Sequence, residues 1–328
     1  MPRHAPRFLV SALFLVLGCP VFAQLDPAKI TGPETCTNCH KLEGAAWQEM
    51  KHAKTFEELH RRPAAREIAG KLGIANIKNE STCVQCHYTS MGPVGAVKVV
   101  AGVSCELCHG AGADWAKTHN VKENPNRIAD AEKLGFIPPA NIYKLASNCY
   151  QCHTVPNEKL VNTGGHQVGS ALELLAWSQG EVRHHFLGGK TNAEATPERK
   201  RLLFLVGRVV DLEFSLRGIA SAVEQGNFVK GMNARINLAK AELQKIADKL
   251  PDGPAKTDVL AVIAAAVRPA AAADGTGLKI TNKDAVLAGA KTISDLGQKM
   301  SSTYKGADLA ALDPLLPTTV QGTPFTAP

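Results

Sequence analysis

Four stretches of this chain repeat one pattern: Cys36-Thr-Asn-Cys39-His40, Cys83-Val-Gln-Cys86-His87, Cys105-Glu-Leu-Cys108-His109 and Cys149-Tyr-Gln-Cys152-His153. Cys-x-x-Cys-His is the attachment signature of c-type haem. Two thiols separated by two residues fit on a single helical turn and can add across the two vinyl groups of a porphyrin. The histidine that follows then lies under the iron and supplies one axial nitrogen. A zinc site or a redox disulfide also uses Cys-x-x-Cys, but neither needs a histidine directly after the second cysteine. Here the histidine is present in all four copies. The cofactors expected are therefore four covalently bound haem c groups. Of nine cysteines, Cys19 precedes the motifs and the other eight are used by them, so no cysteine is left for a disulfide.

The motifs are separated by 42, 17 and 39 residues. That leaves about 40 residues per haem, too few to build a separate side-chain core around each cofactor. The porphyrins must supply much of the apolar interior and must touch one another, as rapid electron hopping requires.

Each iron has a second axial position. The spare histidines of this region are His52, His60, His119, His166, His184 and His185, against only Met50 and Met91. Bis-His ligation is the expectation, with low reduction potentials. His52 lies on an expected helix from Gly44 to Leu59 and His119 closes the segment that begins at Gly110; both read as ligands. His60, in His-Arg61-Arg62, reads as a solvated charged face. His166 follows Gly164-Gly165 in a loop. Adjacent residues on a helix point about 100° apart, so at most one of His184 and His185 reaches a given iron.

Around these motifs the chain has 328 residues, 45% hydrophobic and 20% charged, which is globular composition with room for about two domains. Residues 1–23 read as a secretory signal peptide: Arg3 and Arg7 give a basic start, Phe8 to Gly18 an apolar stretch, and Val21-Phe22-Ala23 a cleavage site. A competing reading makes Cys19 a lipoprotein cysteine, against which stand Leu17 and Pro20. No later run is long enough to cross a bilayer. A periplasmic location follows. The formal charge of +7 does not argue for nucleic acid, because four haems bring about eight propionate charges to offset it.

Three blocks carry a family resemblance. Cys36-x-x-Cys39-His40-Lys41 is followed by Trp47 and then by His52-Ala53-Lys54. Gly102-Val103-Ser104-Cys105-Glu106 leads through Cys108-His109-Gly110 to Gly112, and His119 stands ten residues after His109. Residues 30 to 153, and more weakly to 190, resemble the tetrahaem cytochrome c-554 family, known as electron acceptors from hydroxylamine oxidation. The resemblance implies stacked and roughly perpendicular haem pairs, with three bis-His irons and one lacking a distal ligand. It implies His119 on the first haem, His52 on the third, and His184 as the match for the fourth. The haem on Cys83, Cys86 and His87 would be five-coordinate. Gly165-His166 has no counterpart in the family pattern, so His166 could serve the fourth haem or close the second.

After His185 come 143 residues without His or Cys. Thr196-Pro197-Glu198 is a helix start. Leu202, Leu205, Val209, Leu212, Leu216 and Ile219 then recur at helical spacing, as do Phe228, Met232, Ile236, Ala239, Leu243, Ile246 and Leu250. Asp258 to Val267 and Asn282 to Met300 read as two further helices, and four amphipathic helices argue for a small bundle. The fold class expected is mainly α, a compact multihaem cytochrome c domain at 24–190 with little regular sheet, then a helical bundle at 191–302. A Pro- and Thr-rich flexible tail is expected at 303–328. The bundle reads as a cap over haem edges or as a docking or oligomerisation module.

The function expected is electron transfer between redox partner proteins, such as other cytochromes or an oxidoreductase. Reduction of a small nitrogen oxide such as nitric oxide at an open haem is the alternative, and polymerisation into a cytochrome wire is a third. The intact mass of the mature, denatured protein should exceed that of the polypeptide by four haem masses; an excess of three or fewer would refute the motif reading.

Overall fold

The computed structural model describes residues 25–185, 187, 191–273 and 278–328; the proposed signal peptide and Cys19 lie outside them. The fold is mainly helical, with two short antiparallel ribbons. No helix among the described residues is long and apolar enough to cross a membrane.

The haem-motif region is a chain of short helices: α1 (Pro33–Thr37), α2 (Lys41–Glu49), α3 (Lys51–Glu58), α4 (Pro63–Lys71), α5 (Ser81–His87), α6 (Cys105–His109), α7 (Arg127–Lys133), α8 (Ile142–His153), α9 (Glu158–Asn162) and α10 (Leu174–Gln179). One ribbon pairs β1 (Thr89–Met91) with β2 (Lys98–Ala101), Ser90 opposite Val99. Side-chain clusters here are small, such as Ala69, Ile77 and Tyr88, or Trp115, Ala131 and Phe136. Polar side chains acting on backbone carry the load between them. Glu106, fully buried in the third motif, accepts hydrogen bonds from the amides of Thr31 (2.9 Å), Gly32 (2.9 Å) and Gly112 (2.7 Å). It thereby ties α6 to the chain entering α1. Trp47 donates its indole N–H to the carbonyl of Val103 at 2.8 Å, and Val103 donates its amide to the carbonyl of His52.

The helix expected from Gly44 to Leu59 is broken. Met50 is extended (φ −68°, ψ 149°) and separates α2 from α3. Its side chain is buried against Ala46, Leu187 and Phe325. The first amide of α3, that of Lys51, is taken by the Glu181 carboxylate at 2.5 Å, a negative group at the positive end of the helix.

The C-terminal half contains α11 (Pro197–Ala220), α12 (Asn227–Lys249), α13 (Pro254–Ala265) and α14 (Lys283–Thr303). Each of the four expected helices is present, and Thr196 caps α11 by accepting from the Arg199 amide. Helix α11 packs against α12 and α14, and α13 closes the square against the same two. The sequence stripe understates α11. Beyond its expected apolar face it buries Leu203, Phe204, Val206, Val210 and Phe214, together with the charged Arg201, Asp211 and Glu213, so it is buried nearly all round. The reason is a further neighbour outside the bundle: α8, which carries the fourth haem motif, lies against it. Ile142, Tyr143, Ala146 and Tyr150 of α8 belong to the same buried cluster as the bundle core. Tyr143 donates its hydroxyl to buried Glu213 at 2.7 Å and also meets Ser294 of α14. A second ribbon, β3 (Ala271–Ala273) with β4 (Leu278–Ile280), leads from α13 to α14.

The segment expected as a flexible tail is packed. A 3-10 helix at Ala307–Leu315 buries Leu309 and Leu312, and Asp313 receives both Nε and Nη2 of Arg201. Gln321 exchanges backbone hydrogen bonds with Ala176 and Glu181, and Phe325 seats beside Met50. Pro and Thr content alone concealed these apolar anchors.

Replacing Glu106 by Ala orphans three backbone donors at once. The holoprotein should lose ~3 kcal/mol or more of stability in denaturant titration, and Glu106→Gln, which keeps an acceptor oxygen, should lose less. A loss under ~1 kcal/mol for the Ala variant would mean that water satisfies those amides.

Candidate haem-binding site

Each motif forms the turn that its spacing requires. Motifs two and three end α5 and α6, and motif four ends α8, so in each the histidine is the last helical residue. In the first motif the helix proper stops at Thr37, but the His40 amide still bonds to the Cys36 carbonyl at 2.9 Å, extending the turn. All eight motif cysteines are unpaired thiols.

All eight line a single cavity of about 1220 Å³. That exceeds the usual volume for one small ligand, about 300–1,000 Å³. Its wall also carries nine histidines: 40, 52, 87, 109, 119, 153, 166, 184 and 185. Among the described residues no three His, Cys, Asp or Glu side chains converge as a bare metal-ion site, so the Cys pairs find no zinc ligand set.

The histidines pair across this space. Ring centroids are 6.2 Å apart for His40 and His119, 6.4 Å for His87 and His166, 6.2 Å for His109 and His184, and 6.1 Å for His153 and His52. An imidazole nitrogen bonds a metal at about 2 Å and lies about 1.1 Å from its ring centre, so two imidazoles on opposite sides of one metal sit about 6.3 Å apart. Each motif histidine thus faces one partner at the separation that a shared iron demands.

The other ring nitrogens support this orientation. Nδ1 lies 2.8 Å from the Ile137 carbonyl in His109, 2.5 Å from Ala116 in His119, 2.9 Å from Gln167 in His166 and 2.7 Å from Val182 in His184. A carbonyl only accepts, so each Nδ1 carries the proton and each Nε2 keeps a free lone pair, the ligand tautomer. In His153, Nδ1 meets the Ser170 hydroxyl at 2.7 Å. Burial is the main reason that His87 and His153 are held down to about 4, and it also lowers His52, His109 and His184. These rings are neutral at physiological pH, as ligation requires. His119 is further fixed between Trp115 and Phe136, at 5.2 and 5.8 Å.

The wall fits the rest of a haem as well. Arg62, Arg183 and Arg199 line it beside Trp177. The Nε of Arg183 and the indole N–H of Trp177 are buried without a partner, donors suited to propionate oxygens. His185 lies 4.5 Å from His184 and faces no motif histidine. His60 is outside the cavity wall, and its Nδ1 is buried without a partner rather than solvated.

The sequence profile of the family described as "Cytochrome c554 and c-prime" matches residues 35–110. These residues are similar to the cytochrome c-554 family. The curated "Cytochrome c-554" of Nitrosomonas europaea is 31% identical over 102 residues, 28% of this chain and 43% of that protein. The chain therefore aligns with less than half the length of this relative. No solved structure matches the chain. The matched family is one of cytochromes c, which carry covalently bound haem c.

Three of the four distal placements differ from those the c-554 resemblance implied. His119 faces the first motif as expected, but His52 faces the fourth rather than the third, and His184 the third rather than the fourth. His166 faces the second, on the side where no ligand was expected. His52 reaches the fourth motif because α3 lies tightly against Gly102. A Cβ there would stand 2.3 Å from the His52 carbonyl oxygen. Ser170 and the Ile137 carbonyl, which orient two of these rings, and Glu181, which caps α3, carry no sequence signature. Replacing His52 or His119 by Ala should each convert one low-spin haem to high spin in electron paramagnetic resonance; a spectrum unchanged in both would refute these placements.

Proposed function

We propose that this protein is an exported tetrahaem c-type cytochrome that relays electrons between redox partner proteins. The irons would be held by His40 with His119, His87 with His166, His109 with His184, and His153 with His52. The carrying observation is the set of four imidazole pairs at 6.1–6.4 Å, each with one motif member. Haem c, when bound, supplies one-electron redox chemistry. The chain's own part is to anchor it through eight cysteines, to present neutral imidazoles from both sides and to exclude water. Two nitrogen ligands favour low potentials relative to Met/His ligation.

The order of the attachment sites supports a relay. Helix α1 of the first motif lies against α6 of the third, and Cys152 Sγ of the fourth motif lies 3.9 Å from the Gln85 carbonyl of the second. Asn148, next to Cys149, donates to the Cys108 carbonyl at 2.7 Å. The motifs therefore neighbour one another in the order first, third, fourth, second, and we read the electron path in that order. The four bundle helices serve as a structural support for the fourth motif, through the core that α8 shares with α11. A periplasmic location follows from the proposed signal peptide at 1–23.

Reduction of nitric oxide at the second haem, the alternative function, needs a vacant position that His166 occupies in this reading. In the oxidised holoprotein every iron should be low-spin, and neither cyanide nor nitric oxide should bind rapidly. A high-spin iron that His166→Ala leaves unchanged would overturn the closed-iron reading and restore the enzyme.

A further inference from the structure

The strap 163–170 joins α9 to the segment before α10, and it carries two groups that serve different motifs. His166 faces His87, and the Ser170 hydroxyl holds Nδ1 of His153. The strap is weakly held by its own backbone. Gly165 (φ +77°) and Gly169 (φ +67°) lie in the left-handed region, and beyond the turn that closes α9 the backbone contact is Ser170 N–H to the His153 carbonyl at 2.8 Å.

What pins it is one face of α12. Phe228 donates its amide to the Asn162 side chain at 3.0 Å. Gly231 lets Val168 lie directly on the helix, where a Cβ would come within 2.4 Å of the Val168 side chain. Arg235, one turn further, spreads its guanidinium against Gly169, whose Cβ would be 2.5 Å from Nη1. Arg235 donates Nη1 to the Ser170 carbonyl at 2.8 Å and Nη2 to Asp211 of α11 at 2.6 Å. Both side chains of this ion pair are nearly buried, 14% and 12% exposed. Residues 228, 231 and 235 fall on one helical stripe, so a bundle helix, far from every Cys-x-x-Cys-His motif in sequence, acts as a rail for the strap.

We propose that Arg235 is a positioning residue that keeps the second iron closed: through the strap it holds His166 over His87 and, with the same fork, fixes Ser170 against His153. This rests on the bis-His reading given above. The two-pronged geometry is specific to arginine. A lysine ammonium is a single point and cannot span Ser170 and Asp211 along the same two directions. Releasing the strap should therefore open the His87 iron and loosen the hydrogen bond to His153, while the irons on His40 and His109 stay as they are.

The test uses the holoprotein with its full complement of haem. Arg235→Gln removes the fork, and Arg235→Lys tests its shape. Because Asp211 would be left buried without its cation in the first, Gly231→Ala provides an independent route. It improves helix propensity in α12 yet pushes Val168, and the strap, off the rail. Spin state is read by electron paramagnetic resonance, and carbon monoxide binding to the reduced protein is titrated. Wild type should be wholly low-spin and take up carbon monoxide slowly. Arg235→Gln and Gly231→Ala should each gain one high-spin iron per chain and bind about one equivalent of carbon monoxide rapidly, with Arg235→Lys between wild type and these. Either variant combined with His166→Ala should show no second high-spin iron. Unchanged spin states and carbon monoxide uptake in both Arg235→Gln and Gly231→Ala would overturn the role of Arg235 while leaving the bis-His reading intact. A high-spin iron in wild type that His166→Ala does not alter would overturn both.

Discussion

Two neutral imidazoles held about 6 Å apart across an otherwise apolar gap form the unit on which this structure rests. The gap is too wide for ring contact and too narrow for anything bulkier than a flat disc with a metal at its centre. Four such gaps meet in one cavity, and around the first three motifs the polypeptide has only small side-chain clusters. The surrounding chain consequently relies on directional polar anchors, with Glu106 gripping three amides and Trp47 gripping a carbonyl. Such anchors set distances to within a few tenths of an ångström, which apolar packing around a large void could not do.

The chemistry of the site was legible because it depends on residues adjacent in sequence. Two thiols and an imidazole on one helical turn are a local pattern, and the scarcity of methionine restricts the opposite ligand to histidine. The pairing of distal histidines was less legible. Which iron a histidine reaches depends on where its helix lies in space, and that is decided by features without a signature, such as Gly102 admitting α3 or Glu181 holding the first amide of α3. His166 illustrates the point: its flanking glycines announce a loop, but the rail that steadies the loop is drawn from α12, more than sixty residues later.

The helices of the second half were legible from their periodicity, since an apolar stripe at 3.6 residues is needed wherever a helix covers a core. The all-round burial of α11 was not. A stripe analysis asks how many faces are apolar, whereas the number of neighbours is a property of the assembled fold. The tail was misread for a related reason. Proline-rich composition disfavours long helices, but a short 3-10 helix and extended chain can still pack when a few apolar residues such as Leu309, Leu312 and Phe325 find grooves.

The seat of Phe325 beside Met50 and Leu187 has a temporal consequence. The chain emerges from synthesis, and from any export channel, in order, so this contact can form only after all four motifs have emerged. Loop closure on that scale is slow relative to helix formation. The motif turns can coil while the wall they share is still incomplete. A flat, rigid group thus has an interval in which to reach all eight sulfurs before the wall is complete. The long-range contact forms only after the motif turns are made.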